Sequence, residues 1–266
     1  MEFGTLRPEP GALPYPERTC IPQSLLALLG SSNVDEQDMD TILDQAGGFP
    51  NEDWGRAEQV LSTSAFQDWF VDRGSRRLLV HGDYDVNDYP EISPLSKLCT
   101  AIVQKVRTRP NLVGLVFFCG RHLDQRHNEN IGASGLVRSF IAQLLRQCPS
   151  TCWGYTLDPD ISLTEVENGD LEHLTKLFTT LILHSPRTTF MVVIDGVLAY
   201  EQEEYCEGLY KVVDMLCKLA EDEVLSYYVP IKILLTSPTE TSDGELRERF
   251  QRHHAILSMT AMPNAG

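Results

Sequence analysis

Four short apolar runs recur along the chain: LLVHG at 78–82, LVGLVFFC at 112–119, TFMVVID at 189–195 and IKILLT at 231–236. The segments between them carry apolar residues at helical spacing. A strand that is apolar on both faces has to be covered on both faces. Strands joined through helices run parallel, because the crossover brings the chain back to the same end of the sheet. With a fifth strand over Ala255–Met259, the pattern predicts an α/β fold: a mostly parallel five-stranded sheet with helices on both faces. The covering helices are expected at Pro94–Val106, Ser134–Cys148, Leu171–His184, Glu204–Ala220 and Gly244–His254. Gly120–Ala133 reads as an exposed loop, and Cys152–Gly169 as irregular and acidic.

Before the first strand, residues 20–72 read as a helical N-terminal segment. It is built from Pro22–Leu29, Asp35–Gln45 and one longer helix, Trp54–Val71, with Phe66, Trp69 and Phe70 in the core. Residues 1–19 read as a tag and extended lead-in. Met1–Thr5 holds the Glu-Phe and Gly-Thr pairs that restriction sites encode, and the rest is rich in proline. The remaining 73–266 form the core domain.

Composition narrows the partners. A formal charge of −16 disfavours nucleic acid and anionic membranes, both of which bind through Lys and Arg. No apolar run is long enough to span a membrane, and no signal peptide opens the chain. The seven cysteines are scattered and odd in number, as expected of reduced thiols in a cytoplasmic protein. Cys148 and Cys152 have no second pair at zinc spacing.

Ligands of parallel sheets bind beyond the C-terminal strand ends, near the reversal of strand order. Here that means 82–94, 195–201 and 236–239. The stretch 78–96, LLVHGDYDVNDYPEISPLS, has the strand–glycine–loop–helix layout of a phosphate-binding unit. Its chemistry departs from that layout. A phosphate loop needs glycines, a lysine and a Ser/Thr, whereas this loop carries Asp83, Asp85, Asn87, Asp88 and Pro90, and its first cation is Lys97. Asp83, Asp85 and Asn87 match three positions of a calcium loop, but Asp88 and Pro94 replace its glycine and its bidentate glutamate. A solvated acidic turn is the simpler reading. His122, Asp124 and His127 read as solvated loop residues, His81 as a satisfied sheet histidine, and His253-His254 as the end of a charged helix. No G-x-S-x-G elbow or Cys/His constellation supports nucleophilic catalysis.

Taken in order, these pieces resemble the nucleotide-binding domain of fungal NACHT/STAND proteins, the NLR-like signalling ATPases. Leu78–Leu98 stands where their P-loop unit stands. Leu115–Phe118 followed by GLVRSFIAQLL at 135–145 is similar to their second strand and the helix "LRSLIYQLL". Met191–Gly196 is similar to their Walker B strand, and IKILLTSP at 231–238 to their sensor strand "KILITSRP". Ile92–Ser96, with Asp195 and Tyr200-Glu201, is similar to a divergent branch that carries "ISPxS" in place of the P-loop. The resemblance implies a three-layer P-loop NTPase-like fold over about 20–260.

It also implies where a nucleotide would sit: at Gly82, Asp83, Asp85, Asp88, Ser93, Ser96, Asp195, Thr236 and Ser237, with Mg²⁺ on Asp195. Counting from Gly82 places Asp88 at the lysine position, which would turn an attraction for phosphate into repulsion. Leu198 or Ala199 falls where the water-activating acid belongs, and Pro238 replaces the arginine after the sensor strand. The expectation is a degenerate, regulatory or interaction module with little or no hydrolysis. Its cofactor would be none, or weakly bound ATP/ADP with Mg²⁺, and its partners other proteins or further copies of itself. The alternative is a non-standard ATP/GTP switch or hydrolase with Mg²⁺ on Asp195, Glu201 as base, and a cation borrowed from Arg121 or Arg138. Asp195 has a structural alternative too, as a hydrogen-bonding anchor for the remodelled loop.

Overall fold

The computed structural model describes residues 22–30, 33–123, 130–148, 158–185, 187–241 and 244–261. Its centre is a five-stranded sheet of β1 (Arg76–His81), β2 (Leu112–Phe118), β3 (Thr189–Asp195), β4 (Ile231–Ser237) and β5 (Ile256–Ser258). The spatial order is β2-β3-β4-β1-β5, and every pairing is parallel.

Alternate residues of each strand face opposite layers. Leu78, Val80, Val116, Phe118, Met191, Val193 and Leu234 face one core, closed by Leu95, Leu98, Cys99 and Ile102 of helix α5. Leu79, Leu115, Phe117, Val192, Ile194, Ile233 and Leu235 face the other. Three helices close that side, α6 (Gly132–Gln147), α8 (Leu171–Leu183) and α9 (Cys206–Glu221), while α5 spans Pro94–Arg107.

The N-terminal helices join these layers. They are α1 (Pro22–Leu28), α2 (Val34–Gln45), α3 (Asn51–Ser62) and α4 (Ser64–Val71). Met39, Ile42, Ala57, Val60, Phe66 and Trp69 enter the α5-side core, and Leu25 of α1 and Leu29 just after it enter the other. Polar ties fix the docking. Asp35 of α2 is buried between the guanidinium groups of Arg107, at 2.7 Å, and Arg146. Trp69 Nε1 donates to the Ile233 carbonyl at 2.9 Å.

The edge strand β2 is capped by side chains. Gln143 exchanges hydrogen bonds with the backbone of Val116, at 2.8 and 2.7 Å, and Gln147 does the same with Gly114, at 3.0 and 2.9 Å. The two glutamines are one helical turn apart on α6, so their amides act as a short surrogate strand on an otherwise open edge.

Several expectations are corrected. The helix expected over Trp54–Val71 divides at Thr63, whose extended backbone (φ −72°, ψ 143°) ends α3. The Thr63 hydroxyl then caps α4 by accepting from the Phe66 N–H at 3.2 Å. Phe70, expected in the core, is 44% exposed: α4 turns Phe66 and Trp69 inward, and Phe70, stacked on Phe66 at 5.9 Å, lies at the margin of that face. The stretch read as irregular contains α7 (Leu163–Asn168), capped by Ser162 and closed by Gly169 at φ 84°. A short helix, α10 (Glu223–Tyr228), precedes β4, and α11 (Gly244–Gln251) stops before the histidine pair. His122 is buried rather than solvated. It stacks on Phe117 with centroids 4.6 Å apart, and its Nε2 lies 2.7 Å from Asp38 Oδ2. Asp124, His127 and Cys152 lie outside the described residues, as do 1–21. Among the described residues, no helix is long and apolar enough to cross a membrane.

Candidate functional site

The connection from β1 to β2 passes over β4 and β3, and the chain returns through β3 and β4 to reach β5 on the far side of β1. Strand order therefore reverses around β1, which leaves a crevice beyond the C-terminal ends of β1, β4 and β3. Asp195, the last residue of β3, is the charged group at its floor.

Asp195 is 2% exposed, and its partners are neutral. Ser96 Oγ donates to Oδ2 at 2.6 Å, and Thr236 Oγ1, from the end of β4, donates to Oδ1 at 2.5 Å. Cys99 Sγ lies 3.9 Å from both Asp195 Oδ1 and Thr236 Oγ1. The Gly196 N–H also turns to the carboxylate, and Gly196 adopts φ +68°, a conformation open to glycine. Burial pushes the Asp195 carboxyl up to about 6, and the four donors pull against that rise. Burial and the neighbouring carboxylate also push the Cys99 thiol well above its ordinary range.

Helix α5 brings Ser96 here. Pro94 occupies its first turn, where no N–H is needed, and Ser96 Oγ accepts from the Ser93 N–H at 2.9 Å as half of a capping box. The bond from Ser96 to the β3 aspartate fixes the register with a G-K-[ST] loop. Ser96 takes the hydroxyl position, so Pro94-Leu95 stand where such a loop has Gly-Lys. The register counted from Gly82 is thereby corrected. Asp88 does not face the phosphate position but lies exposed in the loop, and Leu95, fully buried, takes the lysine's place.

The space above Gly82 is filled. A Cβ on Gly82 would lie 2.5 Å from the Tyr84 ring and 2.9 Å from Leu95 Cδ1. The backbone donors are engaged as well: Gly82 N–H bonds to Ser237 O at 2.9 Å, and Tyr84 N–H to Pro238 O at 2.7 Å. Helix α3 holds this loop down. Tyr84 Oη donates to the Asp53 carbonyl at 3.0 Å, and Tyr89 Oη to the Asp53 carboxylate at 2.5 Å. Arg56 pairs with Asp83 at 2.6 Å and donates to Met259 O at 3.0 Å, while Lys97 sits 3.9 Å over the Trp54 ring. Asp85 turns inward on the Asn87 N–H at 2.8 Å.

Of the residues singled out from sequence, Ser93, Ser96, Asp195 and Thr236 come together. Gly82 lies beneath Tyr84, and Asp83, Asp85 and Asp88 point away. Ser237 is fully buried, and strand alternation sets it on the opposite face from Thr236. Glu201 follows the 3₁₀ turn Val197–Tyr200 and is absent from the described lining of the cleft. Arg121 pairs with Glu91 at 3.1 Å, and Arg138 donates to the carbonyls of Val166 and Glu167. Asp53, Arg56, Tyr84 and Cys99 were missed. Tyr84 carried the one legible signal, a bulky ring two residues after the loop glycine.

What remains open is a cleft of about 190 Å³, below the range of roughly 300–1,000 Å³ usual for small-molecule sites. Among the described residues that line it there is no lysine or arginine. Nor do three His, Cys, Asp or Glu side chains converge anywhere among the described residues as a metal would need. As arranged, these residues do not fit a magnesium triphosphate. The lysine position is apolar, the Gly82 and Tyr84 N–H groups are bonded to the Ser237 and Pro238 carbonyls, and a tyrosine ring occupies the space over the glycine.

Comparisons with known proteins place the chain. No curated protein matches it in sequence. Among solved structures, a chain from the Drosophila ORC bound to AT-rich DNA and Cdc6 is similar at 12% identity with a TM-score of 0.38, too slight a likeness to argue from. That match covers 96% of the present chain, which spans 35% of the other's length. A family model described as Nephrocystin 3, N-terminal matches residues 55–237, from within α3 to the last residue of β4. The match takes in more than half of the sequence and includes Gly82, Ser93, Ser96, Asp195 and Thr236, and the chain accordingly belongs to the Nephrocystin 3, N-terminal family.

Proposed function

We propose that the chain is a nucleotide-binding-type domain that no longer turns nucleotide over and works as a regulatory or interaction module. The observation that carries this reading is the pair Leu95 and Tyr84. One puts an apolar side chain at the lysine position, and the other lays a ring over the loop glycine. Without the lysine there is no charge to draw the β- and γ-phosphates, and with the ring in place they have no room. The reading extends to no bound nucleotide or weakly held ATP/ADP, a cytoplasmic setting, and protein partners or self-association. It also takes the chain as a divergent relative of the NACHT/STAND signalling ATPases.

Against the alternative, a non-standard hydrolase using Asp195-bound Mg²⁺ and Glu201, stand the two candidate cations. Arg121 is paired with Glu91, and Arg138 is bonded to distant carbonyls. The test is release of inorganic phosphate from ATP and GTP with Mg²⁺, by the chain and by its Asp195→Asn and Glu201→Gln variants. The expected result is one background rate for all three. Turnover abolished by both substitutions would overturn the reading.

A further inference from the structure

The usual occupant of this place in such folds is an anion, yet the cleft that remains has the opposite polarity. Asp195 is 2% exposed, lines the cleft, and forms no ion pair among the described residues. Its partners are two hydroxyls, a thiol and an N–H, all neutral. Buried charges are ordinarily paired with an opposite charge. These four donors solvate the carboxylate but bring no opposite charge, and the Cys99 thiol at 3.9 Å is the weakest of them.

Above this floor the lining is mixed: Val86, Pro90, Leu123 and Leu198 supply apolar surface, and Glu91 and Gln202 add an acidic and an amide side chain, none of them cationic. At about 30 Å³ per water-sized group, the 190 Å³ cleft holds roughly six heavy atoms. That is too few for a nucleotide and enough for a short alkyl chain ending in one charged nitrogen. An apolar stem with a cationic tip is the amphipathic shape such walls and floor suit. A hard metal cation is a poorer match, since it wants several oxygen ligands and no three-residue cluster exists among the described residues. The net charge of −16 favours approach of a cation in any case.

We propose that this cleft binds a primary alkylammonium group, presented as a lysine side chain or as a free amine, with the Asp195 carboxylate as counter-ion and the walls around Leu198 holding the stem. The inference rests on the reading above only in taking the cleft to be free of nucleotide.

The test titrates n-butylammonium, Nα-acetyl-lysine N-methylamide, butyrate and Mg-ATP into the chain by calorimetry, with amide shifts followed by NMR. Two variants are run beside it: Asp195→Asn, which removes the charge, and Leu198→Trp, which fills the cleft and leaves Asp195 in place. The expected result is saturable amine binding with shifts at Ser96 and Gly196, weakened at least tenfold in both variants, and no response to butyrate. Tighter binding of the blocked lysine identifies a partner's side chain as the source, and tighter binding of butylammonium identifies a free amine. If Asp195→Asn does not fold, Leu198→Trp alone decides. Failure of both amines to bind, or binding undiminished in Leu198→Trp, would overturn the proposal. Micromolar, Mg²⁺-dependent binding of ATP would instead overturn the proposed function, so the two failures are separable.

Discussion

Ser96 Oγ lies 2.6 Å from Asp195 Oδ2 and ties the first turn of α5 to the tip of β3. The same oxygen accepts the Ser93 N–H, so one hydroxyl caps the helix and solvates a buried carboxylate. Ser96→Ala is expected to remove a charge-assisted bond and lower stability by about 2 kcal/mol at pH 7.5. The loss should be smaller at pH 5, where Asp195 is largely protonated. Urea denaturation at the two pH values measures it, and an equal, negligible loss at both would show that the bond does not matter.

The pH dependence has a definite sign. Asp195 titrates at about 6 in the folded chain, above the ordinary carboxyl value, so between roughly pH 4 and 6 the folded state binds more protons than the unfolded. Its contribution to stability is therefore fully present below about pH 4 and is lost as the pH rises through 6. A rise of this size corresponds to about 3 kcal/mol at most. Asp195→Asn should flatten this part of the profile. Comparing wild type with the variant cancels the other carboxylates, and parallel profiles from pH 4 to 7 would count against the assignment.

The filling of the phosphate space predicts a coupling. Gly82→Ala places a Cβ 2.5 Å from the Tyr84 ring and should cost about 1–3 kcal/mol. In a Tyr84→Ala background most of that cost should disappear. A double-mutant cycle on thermal or urea stability reads the coupling directly. Additive effects would mean that the ring does not sit over the glycine.

Gln143 predicts a different phenotype. Gln143→Leu strips the Val116 N–H and carbonyl of their partners at a buried strand edge and should cost about 2–3 kcal/mol. Hydrogen exchange at the Val116 amide should accelerate before the centre of the sheet does, and Gln147→Leu should act likewise at Gly114. Uniform acceleration across β2, β3 and β4 would indicate global destabilisation instead of an opened edge.

The strands were legible because continuous apolar runs bounded by polar turns have few alternatives. The run at Thr189–Asp195 coincides with β3, and Ile231–Thr236 falls one residue short of β4. The break at Thr63 was not legible from apolar spacing, which continues through it. A threonine three residues before Phe66 was the available capping signal. The site was legible only in part. Counting from Gly82 misplaced the lysine position, because the loop length is a tertiary property set by where α5 begins. The Ser93-Pro94-x-Ser96 capping pattern marks that beginning and would have pointed to Ser96 and Leu95. The clamp from α3 joins Asp53 and Arg56 to a loop roughly thirty residues on, and no local pattern carries such a pairing.

The central claim is that the end of β1 no longer receives phosphates. It is tested most directly by calorimetric titration of ATP, ADP and GTP into the chain, with and without Mg²⁺, beside an Asp195→Ala control. The account predicts no saturable heat and no thermal stabilisation at millimolar nucleotide, in the wild type or the control. Micromolar binding that depends on Mg²⁺ and disappears in Asp195→Ala would contradict it, since the nucleotide would then have displaced Tyr84 and found its charge partner elsewhere.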